Sequence, residues 1–253
     1  MRLLVKKIGR FLPKIIVYYL LFLYKPNRRR FLLCSSLSFL QKIDIIRNMN
    51  IINSKIECAH TDDEIIEIYL ELIEKKRLPG VIIECGCFKG GSTAKISLLS
   101  SLLNKSFYVF DSFEGIPEND EQHCLTIYNE KIIGFHKGDY KGSLLEVKNN
   151  LSKYGNDCNV SLIKGLFDQT LPCFDQKILI AYLDVDLVSS TKICLKYLYP
   201  NLVPGGVIFS QDAHLPLIVK LLNDELFWKK EIGAIKPHIE GLGKKKLIKI
   251  IKE

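Results

Sequence analysis

Residues Val81-Ile82-Ile83-Glu84-Cys85-Gly86-Cys87-Phe88-Lys89-Gly90-Gly91-Ser92-Thr93 constrain the fold more than any other stretch of the chain. A β-branched run ends in an acid and a glycine-rich turn follows. Ser92 then offers an N-cap for a helix through Ala94 to Leu103. This is the strand–turn–helix opening of a doubly wound α/β sheet, whose ligands bind beyond the carboxyl ends of the strands. Gly86 permits the tight turn, and Gly90 and Gly91 let the backbone approach a ligand where a Cβ would clash. The glycines read G-x-x-x-G-G, so the G-x-G-x-x-G dinucleotide pattern is not met, which weighs against a nicotinamide-dependent dehydrogenase.

Strands and helices alternate regularly after that point. Thr61-Asp62-Asp63-Glu64 starts a helix with an N-cap and first-turn acids, and Ile65, Ile66, Tyr69, Leu70 and Ile73 recur at helical spacing. A second strand, Ser106 to Phe110, ends in Asp111, and a third covers Asn159 to Lys164 after a helix from Ser143 to Tyr154. Lys177 to Leu183 delivers Asp184-Val185-Asp186, and a helix from Ser189 to Leu198 follows. A turn at Val203-Pro204-Gly205-Gly206 leads into Val207 to Ser210, which delivers Gln211-Asp212-Ala213-His214. Trp228 to Ile235 and Lys245 to Ile251 read as a closing antiparallel pair. The alternation predicts a mostly parallel sheet with helices on both faces. The polar segment Glu118 to Lys141 is a candidate cover for the site, and its His123 and His136 read as exposed loop residues.

Charge separates the first fifth of the chain from the rest. Of 36 Lys and Arg, ten precede Asp44, and no acid does, which leaves 26 bases against 28 acids in the remainder. A near-neutral body argues against a nucleic-acid groove in the main domain. The chain therefore divides into a basic, apolar amino-terminal segment (1–54) and a ligand-binding domain (55–253). Within the former, Leu33 to Ser54 reads as a partly helical connector or lid. The apolar run Ile15 to Tyr24 is ten residues, whereas crossing a bilayer takes roughly 17–25. Two readings of residues 1–32 stay open. One is a helix lying on an anionic membrane surface; the other is a helix packed on the domain or on a partner chain. The eight cysteines show no metal spacing and need no disulfides, which fits a reduced compartment; the expected location is the cytoplasm, peripheral to the inner face of the membrane.

Two strand tips carry the residues with chemistry. Asp184, Asp186, Gln211 and Asp212 are all oxygen donors, the ligands that a hard cation such as Mg²⁺ selects. Such an ion would lower the pKa of a bound hydroxyl and hold it for attack. The bland alternative is that Asp184 or Asp186 caps the following helix. Asp111 at the second strand tip suits the ribose hydroxyls of an adenosine ligand, or else caps its own turn.

Several motifs in register carry a resemblance. Gly80-x3-Glu84-Cys-Gly-x2-Lys89-Gly-Gly-Ser92, Asp111-Ser-Phe-Glu-Gly-Ile-Pro117, Leu183-Asp-x-Asp-Leu-x-Ser-Ser-Thr191, Leu198-Tyr-Pro200 and Pro204-Gly-Gly206 together resemble the macrocin O-methyltransferase family over roughly residues 55–215. The resemblance implies a Rossmann-like class I methyltransferase fold with a seven-stranded sheet. It also implies S-adenosylmethionine as methyl donor, Mg²⁺ as metal and a sugar or glycan hydroxyl as acceptor. By the same resemblance, Glu84, Gly86 and Lys89, Gly90, Gly91 and Ser92 would hold the methionine end of the cofactor. Asp111, with Ser112 beside it, would hold the ribose, and Asp184, Gln211 and Asp212 the metal. The family usually has Asp-Asp-Tyr where this chain has Gln211-Asp212-Ala213. The lost charge weakens metal binding, leaves room for His214 as general base beside Asp184, and keeps open an inactive binding protein of the same fold. A second copy of the chain is a further expected partner.

Overall fold

The computed structural model describes residues 25–132 and 134–253; the segment 1–24, with its apolar run, lies outside them. Among the described residues, three helices precede the sheet: α1 (Pro26–Leu33), α2 (Phe39–Lys55) and α3 (Asp62–Glu74). Then come β1 (Val81–Cys85), α4 (Gly91–Leu102), β2 (Phe107–Asp111), α5 (Leu144–Tyr154), β3 (Val160–Lys164), β4 (Ile178–Leu183), α6 (Val188–Asn201), β5 (Leu202–Ser210), α7 (Pro216–Asn223), β6 (Ile239–Glu240) and β7 (Ile248–Ile251). The seven strands lie in the order β3-β2-β1-β4-β5-β7-β6. Strands β1 to β5 pair in parallel, and β7 runs antiparallel between β5 and β6. The order reverses between β1 and β4, which opens a crevice at their carboxyl ends.

Period-two alternation decides which side chain faces which layer. Ile82, Phe107, Val109, Ile180, Tyr182 and Phe209 pack with helices α1 to α4 on one face. Ile83, Cys85, Phe110, Ala181, Leu183 and Ile208 pack with α6, α7 and Trp228 on the other. All six residues of β4 are buried, as the central strand of a parallel sheet covered on both faces must be. Each fully buried Ile or Leu is worth about 1.5–3 kcal/mol, so slipping a strand by one residue would forfeit many such contributions at once.

The amino-terminal helices belong to this packing. Thr61 and Glu64 form the capping box at the start of α3. Phe31 of α1 is fully buried, its ring centroid 5.8 Å from that of Tyr69 on α3. Helix α2 buries Ile45, Ile46, Met49 and Ile52, so residues 39–55 are an integral helix of the domain rather than a connector or lid. No helix among the described residues is long and apolar enough to cross a membrane.

Several boundaries differ from the sequence reading. Helix α4 is capped by Gly90, with φ +81°, and not by Ser92, which lies buried inside the first turn. Helix α6 runs through Pro200 to Asn201, and the 203–206 segment belongs to β5, where its pairing with β4 shifts register. The stretch after Trp228 is not a strand. Residues 228–232 form a turn of π-helix closed by Gly233 at φ +75°, and Ile239–Glu240 supplies the edge strand instead. Trp228 and Ile232, four residues apart and both buried, carry the helical spacing that the alternating reading overlooked. All eight cysteines are free, with Cys85 and Cys194 in the interior.

Candidate active site

The carboxyl ends of β1, β2, β4 and β5 open into a cavity of about 610 Å³. Its first wall is the turn after β1. Gly86 has φ +83°, and a Cβ there would come 2.0 Å from the Asp184 carbonyl oxygen, so only glycine lets the two strand tips touch. Asp111 braces this turn from β2. Its Oδ2 accepts from the Cys87 amide at 2.7 Å, and its Oδ1 from the Phe113 amide at 2.7 Å. The carboxylate therefore does cap its own turn while it borders the cavity, each oxygen keeping a lone pair beyond the bond it makes.

Of the eight residues expected to hold a nucleoside cofactor, Gly86, Gly91, Ser92, Asp111 and Ser112 border the cavity. Glu84 lies behind the turn, fully buried, with Oε2 accepting from Thr93 Oγ1 at 2.5 Å. Burial pushes its carboxyl up to about 8, against the pull of hydrogen bonds from Ser92 and Thr93. Gly90 turns the chain into α4, facing Val147. Lys89 points outward to an ion pair with Glu57 at 2.6 Å.

The opposite wall is acidic. Asp184, Asp186 and Asp212 each bring a carboxylate oxygen within 4.8 Å of the others. Asp212 Oδ2 accepts from the amides of Val185 (2.9 Å) and Asp186 (3.1 Å), and this holds Asp186 at φ +59°. The other oxygen, Oδ1, is buried without a partner. Burial raises the carboxyls of Asp184 and Asp186, and it raises that of Asp212 to about 7 with Asp184 adding to the effect. Gln211 is fully buried, and neither its amide nitrogen nor its oxygen has a partner. The carboxylates that meet in space are Asp184, Asp186 and Asp212. Three carboxylate groups with one orphaned oxygen fit a hard divalent cation.

His214 borders the cavity, with Nδ1 buried and unpartnered. Burial, then the nearby Lys246 ammonium, lowers its imidazole to about 4, so the ring is neutral at physiological pH but is not poised there as the sequence suggested. Neither Asp184 nor Asp186 caps α6. Glu121, 67 residues upstream of Val188, does so: its carboxylate accepts from the amides of Val188 (2.7 Å) and Ser189 (2.8 Å). Buried His123 pairs with the same carboxylate at 3.2 Å, so it is not the exposed loop residue expected. The latched segment contributes Ile132, Phe135 and Tyr140 to the cavity, so the 118–141 loop does line the site, with Ile116 and Pro117 just before it; His136 is exposed.

Sequence reasoning missed Glu121, which latches the loop, and Lys246 and His60, which border the cavity. Lys246 reaches the site because the Ala213 amide donates to its carbonyl at 3.2 Å, a bond between the β5 tip and the approach to β7. No local pattern marks it within the lysine run 244–246.

Comparison with known proteins narrows the chemistry. Residues 63–232 match the family described as macrocin-O-methyltransferase (TylF). The chain is 30% identical over 186 residues to an 8-demethyl-8-(2,3-dimethoxy-alpha-L-rhamnosyl)-tetracenomycin-C 4'-O-methyltransferase of Streptomyces olivaceus, covering 70% of this chain and 69% of that one. It is 28% identical over 145 residues to a demethyldecarbamoylnovobiocin O-methyltransferase of Streptomyces niveus, covering 53% of each. Among solved structures, the O-methyltransferase NovP superposes with a TM-score of 0.58 at 18% identity, over 85% of this chain and 81% of that one. A calicheamicin methyltransferase gives 0.59 at 17% identity, over 83% and 92%. These two likenesses establish the class I methyltransferase fold. The matched span contains the glycine turn, Asp111 and the acidic tips, and this chain belongs to the macrocin O-methyltransferase family, S-adenosylmethionine-dependent enzymes that methylate oxygen.

Proposed function

We propose that this protein methylates a sugar hydroxyl, with a divalent cation at Asp184, Asp186 and Asp212 and the donor laid along the glycine turn. The observation that carries this reading is that a braced glycine turn and Asp111 share one cavity with three clustered carboxylates. The sugar acceptor rests on the relatives, one of which is named for a rhamnosyl 4'-oxygen. S-adenosylmethionine supplies an electrophilic methyl on a sulfonium, open to in-line attack by oxygen. Gly86, Gly91 and Ser92 hold its methionine end, and Asp111 with Ser112 its ribose. Glu84 sets the turn from behind, while Lys89 and Gly90 shape it. The loop latched by Glu121 excludes water through Ile132, Phe135 and Tyr140. The acceptor hydroxyl lies against Asp184 and Asp212, and its proton leaves to Asp184 or His214. A bound cation would make that hydroxyl more acidic and fix its direction. Positioning of this kind contributes about 7–11 kcal/mol in the best cases.

The test is transfer of labelled methyl from S-adenosylmethionine to nucleotide-linked or antibiotic-linked deoxysugars, with and without a chelator. Transfer that magnesium restores after chelation is expected. Transfer indifferent to the chelator removes the metal, and no transfer to any sugar removes the acceptor class.

The amino-terminal segment is proposed to touch an anionic membrane surface. In its described part, Arg29 and Arg30 are exposed, and Leu33, Phe39 and Leu40 are 76%, 61% and 73% exposed. Apolar side chains beside cations suit a lipid interface. Replacing Leu33, Phe39 and Leu40 together by Ser should reduce co-sedimentation with anionic vesicles; unchanged partitioning would refute the contact.

A further inference from the structure

His60, in the turn between α2 and α3, borders the cavity although it is only 9% exposed. Its Nε2 stands 3.1 Å from the ammonium of Lys95, a fully buried residue of α4. Lys95 also donates to Asp62 Oδ1 at 2.9 Å, and the Tyr69 hydroxyl donates to the Lys95 carbonyl. An ammonium has only donors. Nε2 must therefore accept, and the one ring hydrogen sits on Nδ1. Burial and Lys95 together keep the ring neutral at physiological pH. Nδ1 has no partner among the described residues, yet it is not among the sealed orphan atoms. The ring thus offers a fixed N–H donor on a residue that borders the cavity.

The turn that carries His60 lies against the first turn of α4. A Cβ on Gly91 would come 2.5 Å from Cys58 Sγ and 3.5 Å from the Glu57 carbonyl. Helix α4 spans twelve residues and has no side-chain cap, and its Gly91 and Ser92 border the same cavity. An uncapped helix start favours an anion, and a buried donor bordering the same cavity adds to that preference. The nearest carboxylate of the turn, Glu57, is already paired with Lys89.

We propose that His60, its tautomer fixed by Lys95, is the donor that binds the amino-acid carboxylate of the cofactor, together with the first-turn amides of α4. The proposal rests on the cofactor reading above and adds a residue on which that reading is silent. Lys95 acts through His60 as a positioning residue.

Calorimetry on the full chain tests it with two ligands: S-adenosylhomocysteine, and 5'-methylthioadenosine, which lacks the amino-acid group. His60→Ala should weaken S-adenosylhomocysteine about tenfold and leave 5'-methylthioadenosine unchanged. His60→Asn, whose amide can present N–H at the Nδ1 position, should recover part of the loss. Equal losses for both ligands would overturn the assignment and leave His60 a structural residue. An effect confined to the KM of the sugar acceptor would overturn it too, because the carboxylate would then be the acceptor's. Failure of the unaltered chain to bind S-adenosylhomocysteine would sink the cofactor reading, and this proposal with it. Long-range ¹H–¹⁵N spectra of the unaltered protein give a check that needs no variant: the Nδ1–H tautomer is expected at neutral pH, and the Nε2–H form would refute it.

Discussion

The two walls of the cavity treat their polar groups in opposite ways. On the glycine side the protein satisfies almost everything itself. Asp111 accepts two backbone amides and Glu84 a hydroxyl, and burial favours the neutral acid form of Glu84, whose second oxygen is sealed without a partner. On the acidic side Asp212 Oδ1, His214 Nδ1 and both side-chain polar atoms of Gln211 are buried without partners, and three carboxyl groups crowd together. The first wall is braced from within, and the donors it leaves open are those of His60 and the first turn of α4. The second is strained by like charge and by unmet hydrogen bonds, which cost about 1–3 kcal/mol each. A cation or an acceptor hydroxyl would relieve that strain.

The largest test of this contrast is Asp212→Asn. Its remaining carbonyl oxygen can still accept the Val185 and Asp186 amides, while one charge leaves the cluster. Turnover should fall by about a hundredfold or more, and the melting temperature should hold or rise. A stable, fully active variant would show that the acidic wall takes no part in reaction. Next comes Asp111→Ala, which strands the amides of Cys87 and Phe113. It should lower stability by about 1–3 kcal/mol in denaturant unfolding and weaken S-adenosylhomocysteine roughly tenfold in calorimetry. Loss of stability without loss of affinity would confine Asp111 to bracing the turn.

The smallest effect concerns Glu84 and pH. Its carboxyl sits near 8 in the folded chain, above its ordinary value of 4.5, because burial disfavours the charge. The folded state therefore holds a proton that the unfolded state releases first. The stability this gives is complete below about 4.5 and is lost as pH rises through about 8. Glu84→Gln cannot ionise, so the variant should gain stability relative to the parent between pH 5 and pH 8. Parallel stability curves for the two proteins would mean that Glu84 is already ionised in the fold.

Much of the frame was readable from local pattern. β-Branched runs between turns marked the five parallel strands, because a sheet covered on both faces leaves no polar alternation to obscure them. The capping box at Thr61 and Glu64 marked α3 from four residues. The glycine turn was readable because its positive φ at Gly86 and its contact with the Asp184 carbonyl admit no side chain. The stretch after Trp228 misled because its short run satisfied alternating and helical spacing alike, and only packing against Tyr199 and Phe227 chose the helix.

Local spacing was enough to settle the class of fold, the order of strands and helices, and the acids at the strand tips, because these follow from periodicities and turn chemistry within a few neighbouring residues. Tertiary structure alone decided which groups meet. Asp186 joins Asp184 and Asp212, Glu121 caps a helix 67 residues away, and the Lys95 ammonium meets Nε2 of His60. Those choices depend on distance in space and on burial, and neither is encoded in the spacing of residues along the chain.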